Sequence, residues 1–153
     1  MKPQPGEPAP DFSLTADDGS TVSRESQLGK RYVLYFYPKD DTPGCTAQAC
    51  SLRDNFGRVT SAGIEVFGVS PDSVGRHVKF RAKYDLPYPL LSDPGHAVAD
   101  AYGVWVEKKL AGRTYMGVER SSFIIGPDGR IEHVLERVKP MEHVDLVLGA
   151  LAA

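Results

Sequence analysis

The sequence predicts an α/β fold, a mixed central β-sheet with helices packed on its faces. Three observations lead there. Residues 32–37 are a continuous run of β-branched, aromatic and aliphatic side chains closed by Pro38, the pattern of a short strand buried on both faces. A helical repeat, a second apolar run at Ile64–Ser70 and a second helical stretch follow, the strand–helix order of a right-handed βαβ unit. Near the C-terminus two apolar runs flank Gly126-Pro127-Asp128-Gly129, strong turn chemistry for a hairpin, and a closing helix comes after them.

Length and composition bound the rest. A chain of 153 residues is expected to be one domain, large enough to bury a core without a metal or a disulfide. Apolar residues make up 41% and charged residues 25%, the balance of a globular protein with a real surface. A formal net charge of −2 gives no reason to expect nucleic acid or an anionic membrane as partner. No apolar run approaches the ~18 residues of a membrane span. The first eight residues lack the apolar core of a signal peptide, which predicts a cytoplasmic, reducing environment. Two cysteines there are expected to be buried thiols or redox-active ones, not a permanent bridge.

The elements follow in order. Residues 1–10 carry four prolines and read as an extended, loosely held lead-in. Residues 11–31 hold a polar turn, Asp17-Asp18-Gly19-Ser20, between short apolar segments, hence a small hairpin. The spacing of Ala49, Leu52, Phe56 and Val59 predicts one helix over about 43–61, with Gly63 as its C-cap. A helix over about 73–84 follows Pro71-Asp72-Ser73. A short strand is expected at Leu90-Leu91, and Pro94 can open a helix to about Tyr102. Residues 104–108 and 113–117 read as a strand and a loop. Val144, Val147, Leu148 and Leu151 share a face of a last helix over about 140–151. This order suits a thioredoxin-like architecture, although flavodoxin-like folds begin in the same way.

The chain is organised around Pro38-Lys39-Asp40-Asp41-Thr42-Pro43-Gly44-Cys45-Thr46-Ala47-Gln48-Ala49-Cys50, which holds both cysteines. Thr42 is a candidate N-cap and Pro43 suits the first helical position, where its missing N–H is no loss. Cys45 then falls at the third helical position, beside N–H groups without intrahelical acceptors. The positive end of the helix dipole favours thiolate there, and thiolate is the reactive form. Thr42 can offer its hydroxyl to the Cys45 N–H or to an incoming oxygen. The sequence places no histidine or carboxylate base beside the sulfur. Deprotonation by environment suits attack on a peroxide, and the same N–H groups can stabilise charge developing as the O–O bond breaks. A lone cytosolic cysteine is most often an inert buried side chain; a Thr-Pro-Gly-Cys helix start after a buried strand argues the other way.

Helical geometry separates the two thiols. Residues five apart in an intact helix rise ~7.5 Å and lie ~8.7 Å apart between Cα atoms, with side chains about 140° apart. A disulfide needs roughly 4.4–6.8 Å. A Cys45–Cys50 bridge therefore requires the first turns of the helix to unwind.

Pro38-x-x-x-Thr42-x-x-Cys45 resembles the active-site motif of the peroxiredoxins, and Thr42-Pro43-Gly44-Cys45-Thr46-x-x-Ala49-Cys50 that of the peroxiredoxin Q, or bacterioferritin comigratory, group. Residues 8–14, 68–70, 91–93, 101–104 and 120–125 match further blocks of that group. The resemblance implies a thioredoxin-like fold and thiol-dependent reduction of hydrogen peroxide or organic hydroperoxides. Cys45 would be the peroxidatic and Cys50 the resolving cysteine, joined as a disulfide in turnover. Thr42 would hydrogen-bond the peroxide, Pro38 would shield the intermediate, and Arg120 would stand beside Cys45. Thr42, Gly44, Cys45 and Arg120 would form the substrate site. The resemblance further implies a thioredoxin or similar dithiol as reductant, a monomer, and no metal or organic cofactor. Gln48 stands where the group usually has a glutamate able to pair with the arginine, so that ionic brace is absent. Trp105 is placed near the pocket by analogy; a buried core indole is the competing reading.

Other classes fit less well. A thiol–disulfide oxidoreductase shares the fold, but its redox spacing is Cys-x-x-Cys. A metal module would need ligand spacing, and His77, His96, His133 and His143 are scattered. A peroxide sensor would use the same first step and signal through a partner.

Overall fold

The computed structural model describes residues 1–152. In chain order it contains β1 (Ser13–Ala16), β2 (Thr21–Ser23), β3 (Arg31–Phe36), α1 (Pro43–Asp54), α2 (Phe56–Thr60), β4 (Ile64–Ser70), α3 (Val74–Tyr84), β5 (Leu90–Ser92), α4 (Ala97–Ala101), β6 (Trp105–Leu110), β7 (Arg113–Val118), β8 (Ser121–Ile125), β9 (Ile131–Leu135) and α5 (His143–Ala152). Seven strands form one sheet in the order β2-β1-β5-β4-β3-β8-β9. The pairs β3–β4 and β4–β5 are parallel, while β8 joins β3 antiparallel. The sheet is mixed, with helices on its faces, in the thioredoxin-like α/β arrangement.

The uninterrupted apolar run at β3 follows from its central place. Val33, Tyr35 and Tyr37 face one core with Cys45, Ala49, Leu52, Val59, Phe80, Val144 and Val147. Tyr32, Leu34 and Phe36 face the other, with Phe12, Val98, Tyr102 and Phe123. Alternation is present in the backbone but hidden in the sequence, because both faces are dry. In α3 Ser73 caps the helix by accepting from the Arg76 N–H, and Asp85 closes it in the left-handed region.

Several expectations are corrected. The helix over 43–61 is two helices, because Asn55 leaves helical geometry (φ −114°, ψ 14°) and its amide takes the Ser51 carbonyl. An asparagine side chain that bonds nearby backbone competes with the helix ladder, so the break is local chemistry. Pro94 lies in a turn; α4 starts three residues later, after His96 in the left-handed region. Residues 105–118 are two paired strands forming a separate hairpin, joined by Ala111 and Gly112, both at positive φ. The proline-rich lead-in is tied down: Gly6 and Ala9 donate to the Ile131 and Gly129 carbonyls, Ala9 is buried, and Lys2 Nζ lies 2.7 Å from Glu119.

Candidate active site

Sheet register brings Arg120 to the cysteine motif. In the antiparallel β3–β8 pair Phe36 lies opposite Ser121, so Arg120, one residue before β8, arrives where β3 ends and the loop to α1 begins. Pro43 opens α1, and Cys45 sits in its first turn. The Arg120 Nη2 donates to Cys45 Sγ at 3.4 Å, and Nη1 donates to Gln48 Oε1. Cys45 and Gln48, one turn apart, share the buried face of the helix. A guanidinium against a sulfur at a helix N-terminus lies in the field that stabilises thiolate and developing anionic charge.

Close approach here depends on a missing side chain. A Cβ on Gly44 would stand 3.2 Å from Arg120 Nη2 and 3.4 Å from Pro140 Cγ. Gly44 thus leaves the space that the guanidinium needs.

Thr42 departs from one expectation. It takes the N-cap position and its carbonyl accepts from the Thr46 N–H, but no side chain caps α1. Its hydroxyl donates to the Lys39 carbonyl at 2.9 Å. With its hydrogen so used, Thr42 Oγ1 can only accept. Pro38 is half-buried at the start of the same loop.

The loop is anchored beneath the site. The buried Asp40 accepts from the Tyr37 hydroxyl at 2.6 Å and pairs with His77 Nδ1 at 2.6 Å. His77 Nε2 meets the Leu91 carbonyl at 2.9 Å, and the Asp40 N–H donates to Asp72. At the loop's exposed corner Asp41, at positive φ, holds Lys83 and the Tyr84 hydroxyl.

Cys50 is half-buried on the same helix, and both thiols are free. Tyr88 donates to the Ala49 carbonyl at 3.2 Å, and Arg53 donates to the Tyr84 carbonyl at 2.7 Å, tying α1 to what lies beneath it. Trp105 is half-buried at the base of the hairpin, packed against the core that holds Phe12, Val98 and Tyr102 and stacked on His96 at 3.9 Å between centroids.

Three neighbours were not legible in the sequence as site residues. His143, at the start of α5, meets Gln48 Nε2 through Nδ1 at 3.0 Å and Ser122 Oγ through Nε2 at 2.6 Å. All three side chains are buried. Burial and the Arg120 charge push the His143 pKa down to about 3, so its ring is neutral. Lys108 of β6 also has its pKa lowered, by burial and then by Arg120. Tyr35, below Cys45, is pushed well up by burial and stays protonated. His143 and Lys108 are remote in sequence from the cysteine motif with no local signal to mark them, and Tyr35 was legible only as part of the apolar run of β3.

Comparison with known proteins agrees with this architecture. Residues 5–134 match the AhpC/TSA family. Peroxiredoxin Bcp of Escherichia coli is 47% identical over 95% of this chain and 94% of its own length. Peroxiredoxin Bcp of Bacillus subtilis is 46% identical over 95% and 93%. Among solved structures, a Xylella fastidiosa PrxQ mutant superposes with a TM-score of 0.92 at 31% identity, covering 99% of this chain and 97% of that one. Xanthomonas campestris peroxiredoxin Q gives 0.86 at 37%, covering 92% and 89%. Relatives of this identity over nearly the full length place the chain in the AhpC/TSA family, as a peroxiredoxin of the Q or Bcp group: an oxidoreductase whose peroxidase chemistry runs on cysteine.

Proposed function

We propose that Cys45 is the attacking sulfur of a two-cysteine peroxidase cycle, and that the described chain works as one domain. The observation that carries this reading is the Arg120 guanidinium 3.4 Å from Cys45 Sγ in the first turn of α1. The Cys45 thiolate attacks one peroxide oxygen, the O–O bond breaks, and the other oxygen leaves as alkoxide or hydroxide, which takes a proton from solvent. Cys45 is then a sulfenic acid. Arg120 and the free N–H groups of α1 stabilise the charge as it moves from sulfur to the leaving oxygen. Thr42 Oγ1, able only to accept, takes the hydrogen bond of the peroxide O–H and orients it. Gly44, having no side chain, lets Arg120 stand beside the sulfur where the peroxide binds, and Pro38 covers the sulfur.

The Cys50 thiol then displaces water from the sulfenic sulfur, forming the Cys45–Cys50 disulfide. Because both residues lie on one continuous helix, α1 unwinds for this step. A dithiol of the thioredoxin type restores the pair by exchange. Hydrogen peroxide and organic hydroperoxides are the substrates, and the protein acts as a monomer in the cytoplasm.

Stopped-flow peroxide reduction coupled to thioredoxin tests the cycle. Cys45→Ser is expected to abolish peroxide reduction. Cys50→Ser should retain the first oxidation and lose thioredoxin-supported turnover. Full turnover in Cys45→Ser, or insulin reduction with no peroxide requirement, would reject the reading.

A further inference from the structure

We propose that His143 is a positioning residue for the peroxide site, its neutral ring holding the Gln48 amide with the oxygen turned to Arg120. The inference rests on the reading of Cys45 as the attacking sulfur and Arg120 as its partner.

The hydrogen bonds leave a single consistent polarity. A guanidinium only donates, so the group that meets Arg120 must be an acceptor. Gln48 supplies its oxygen, and its NH2 group then faces His143 Nδ1 at 3.0 Å. That NH2 group can only donate, so Nδ1 must carry no proton. The ring hydrogen therefore sits on Nε2, which points at Ser122 Oγ at 2.6 Å. The chain runs one way: Arg120 to Gln48, Gln48 to His143, His143 to Ser122.

Each member fixes the next. The two ends of a primary amide are nearly equal in size, so packing alone does not choose between them. Turned over, Gln48 would set an NH2 group against a guanidinium and leave donors facing donors in a buried site. A protonated His143 would force that arrangement, because both ring nitrogens would then donate.

The surroundings keep the ring neutral. Gln48 faces it from α1, the Tyr35 ring from β3 at 5.2 Å, and Ser122 and Arg120 from β8 and its lead-in. Glu142, on the turn before α5, is engaged with the Lys139 N–H. The nearby charge is thus cationic, opposing a second cation.

This changes the meaning of glutamine at position 48. A carboxylate would anchor Arg120 but share its charge. An oriented amide anchors the guanidinium and leaves its full charge for sulfur and the leaving oxygen. The amide, unlike a carboxylate, has a wrong way round, and His143 with Ser122 excludes it.

The first test reads the wild-type reduced protein. With 15N in the histidine rings, long-range proton–nitrogen spectra are expected to show His143 as the Nε2–H tautomer, unchanged from pH 5 to pH 8. An Nδ1–H tautomer or an imidazolium in that range overturns the proposal. This readout needs no peroxide, so it stands apart from the peroxidase reading, which fails instead if Cys45→Ser keeps its turnover.

The second test follows Cys45 alkylation by iodoacetamide against pH in a Cys50→Ser background. His143→Leu is expected to move the midpoint up by ~1 pH unit and to slow peroxide oxidation about tenfold. His143→Asn, whose Oδ1 can stand near the Nδ1 position as an acceptor, should recover most of both. Ser122→Ala should shift the midpoint the same way, by less. A wild-type profile in His143→Leu or Ser122→Ala, or an Asn variant as impaired as Leu, overturns the proposal.

Discussion

At the scale of single residues, the proposed site is a sulfur with a guanidinium hydrogen-bonded to it. Arg120 reaches Cys45 Sγ and Gln48 Oε1 with two different nitrogens, so its plane is held while its charge faces the sulfur. Arg120→Ala removes the cation and the bidentate hold together. Its peroxide rate constant is expected to fall at least ~10²-fold, the scale for loss of a donor aimed at developing charge; stopped-flow oxidation of Cys45 measures it, and an unchanged rate constant would remove Arg120 from the chemistry. Gly44→Ala is a subtler probe. The new methyl meets Arg120 Nη2 at 3.2 Å and the Pro140 ring at 3.4 Å, tight enough to shift one of them. Peroxide oxidation is expected to slow ~10-fold, with stability lowered by no more than the ~1–3 kcal/mol typical of overpacking. A rate within twofold of wild type, measured in the same stopped-flow assay, would show that the guanidinium can move without consequence.

At the scale of elements, the proposed disulfide step makes α1 the part that has to change. It is held by Tyr88 on the Ala49 carbonyl, by Arg53 on the Tyr84 carbonyl and by the apolar contacts of Ala49 and Leu52. Its two ends are built to confine the change. The loop before it is pinned from below by the Asp40–His77 pair, and Asn55 already interrupts the helix after it. Unwinding can therefore stop at α1, leaving α2 and the β3 end in place. Peroxide-treated protein is expected to lose far-UV circular dichroism at 222 nm equivalent to about two of its helical turns, and dithiothreitol should restore it. Cys50→Ser under the same treatment should keep its full signal. An intramolecular disulfide with unchanged helix content would mean that the thiols meet by another route.

At the scale of the molecule, the buried His143 links folding to pH. Its pKa is about 3 in the folded protein, against an ordinary value of 6.5 once it is exposed. The unfolded chain takes up a proton as pH falls through 6.5, while the folded protein takes none until near pH 3. The folded state keeps its full advantage above pH 6.5 and loses it progressively below, by about 2 kcal/mol at pH 5. Urea unfolding at pH 7.5 and pH 5.0 measures this loss, and His143→Asn should remove most of the difference. Equal pH dependence in the two proteins would mean that other groups set it. The same proton uptake favours any state in which Gln48 has left His143 with α1 and opened the ring to water, so acid assists local unwinding as well.

Local chemistry determined a good deal. Continuous apolar runs mark β3 and β4 because a strand dry on both faces has no polar position to show. The Thr42-Pro43 start and the third-position Cys45 were legible because capping and dipole effects act within one turn. The cysteine spacing alone showed that the thiols cannot meet on an intact helix. The break at Asn55 was present too, but a stripe of apolar side chains continues across it and conceals it. Only the tertiary structure decided the rest of the site. Arg120 reaches Cys45 through the β3–β8 register, His143 reaches Gln48 because α5 packs beside α1, and β8 sets Ser122 against the other nitrogen of that ring. Such contacts join residues far apart in the chain by sheet pairing and helix packing. No local pattern records a partner that the fold has yet to bring near.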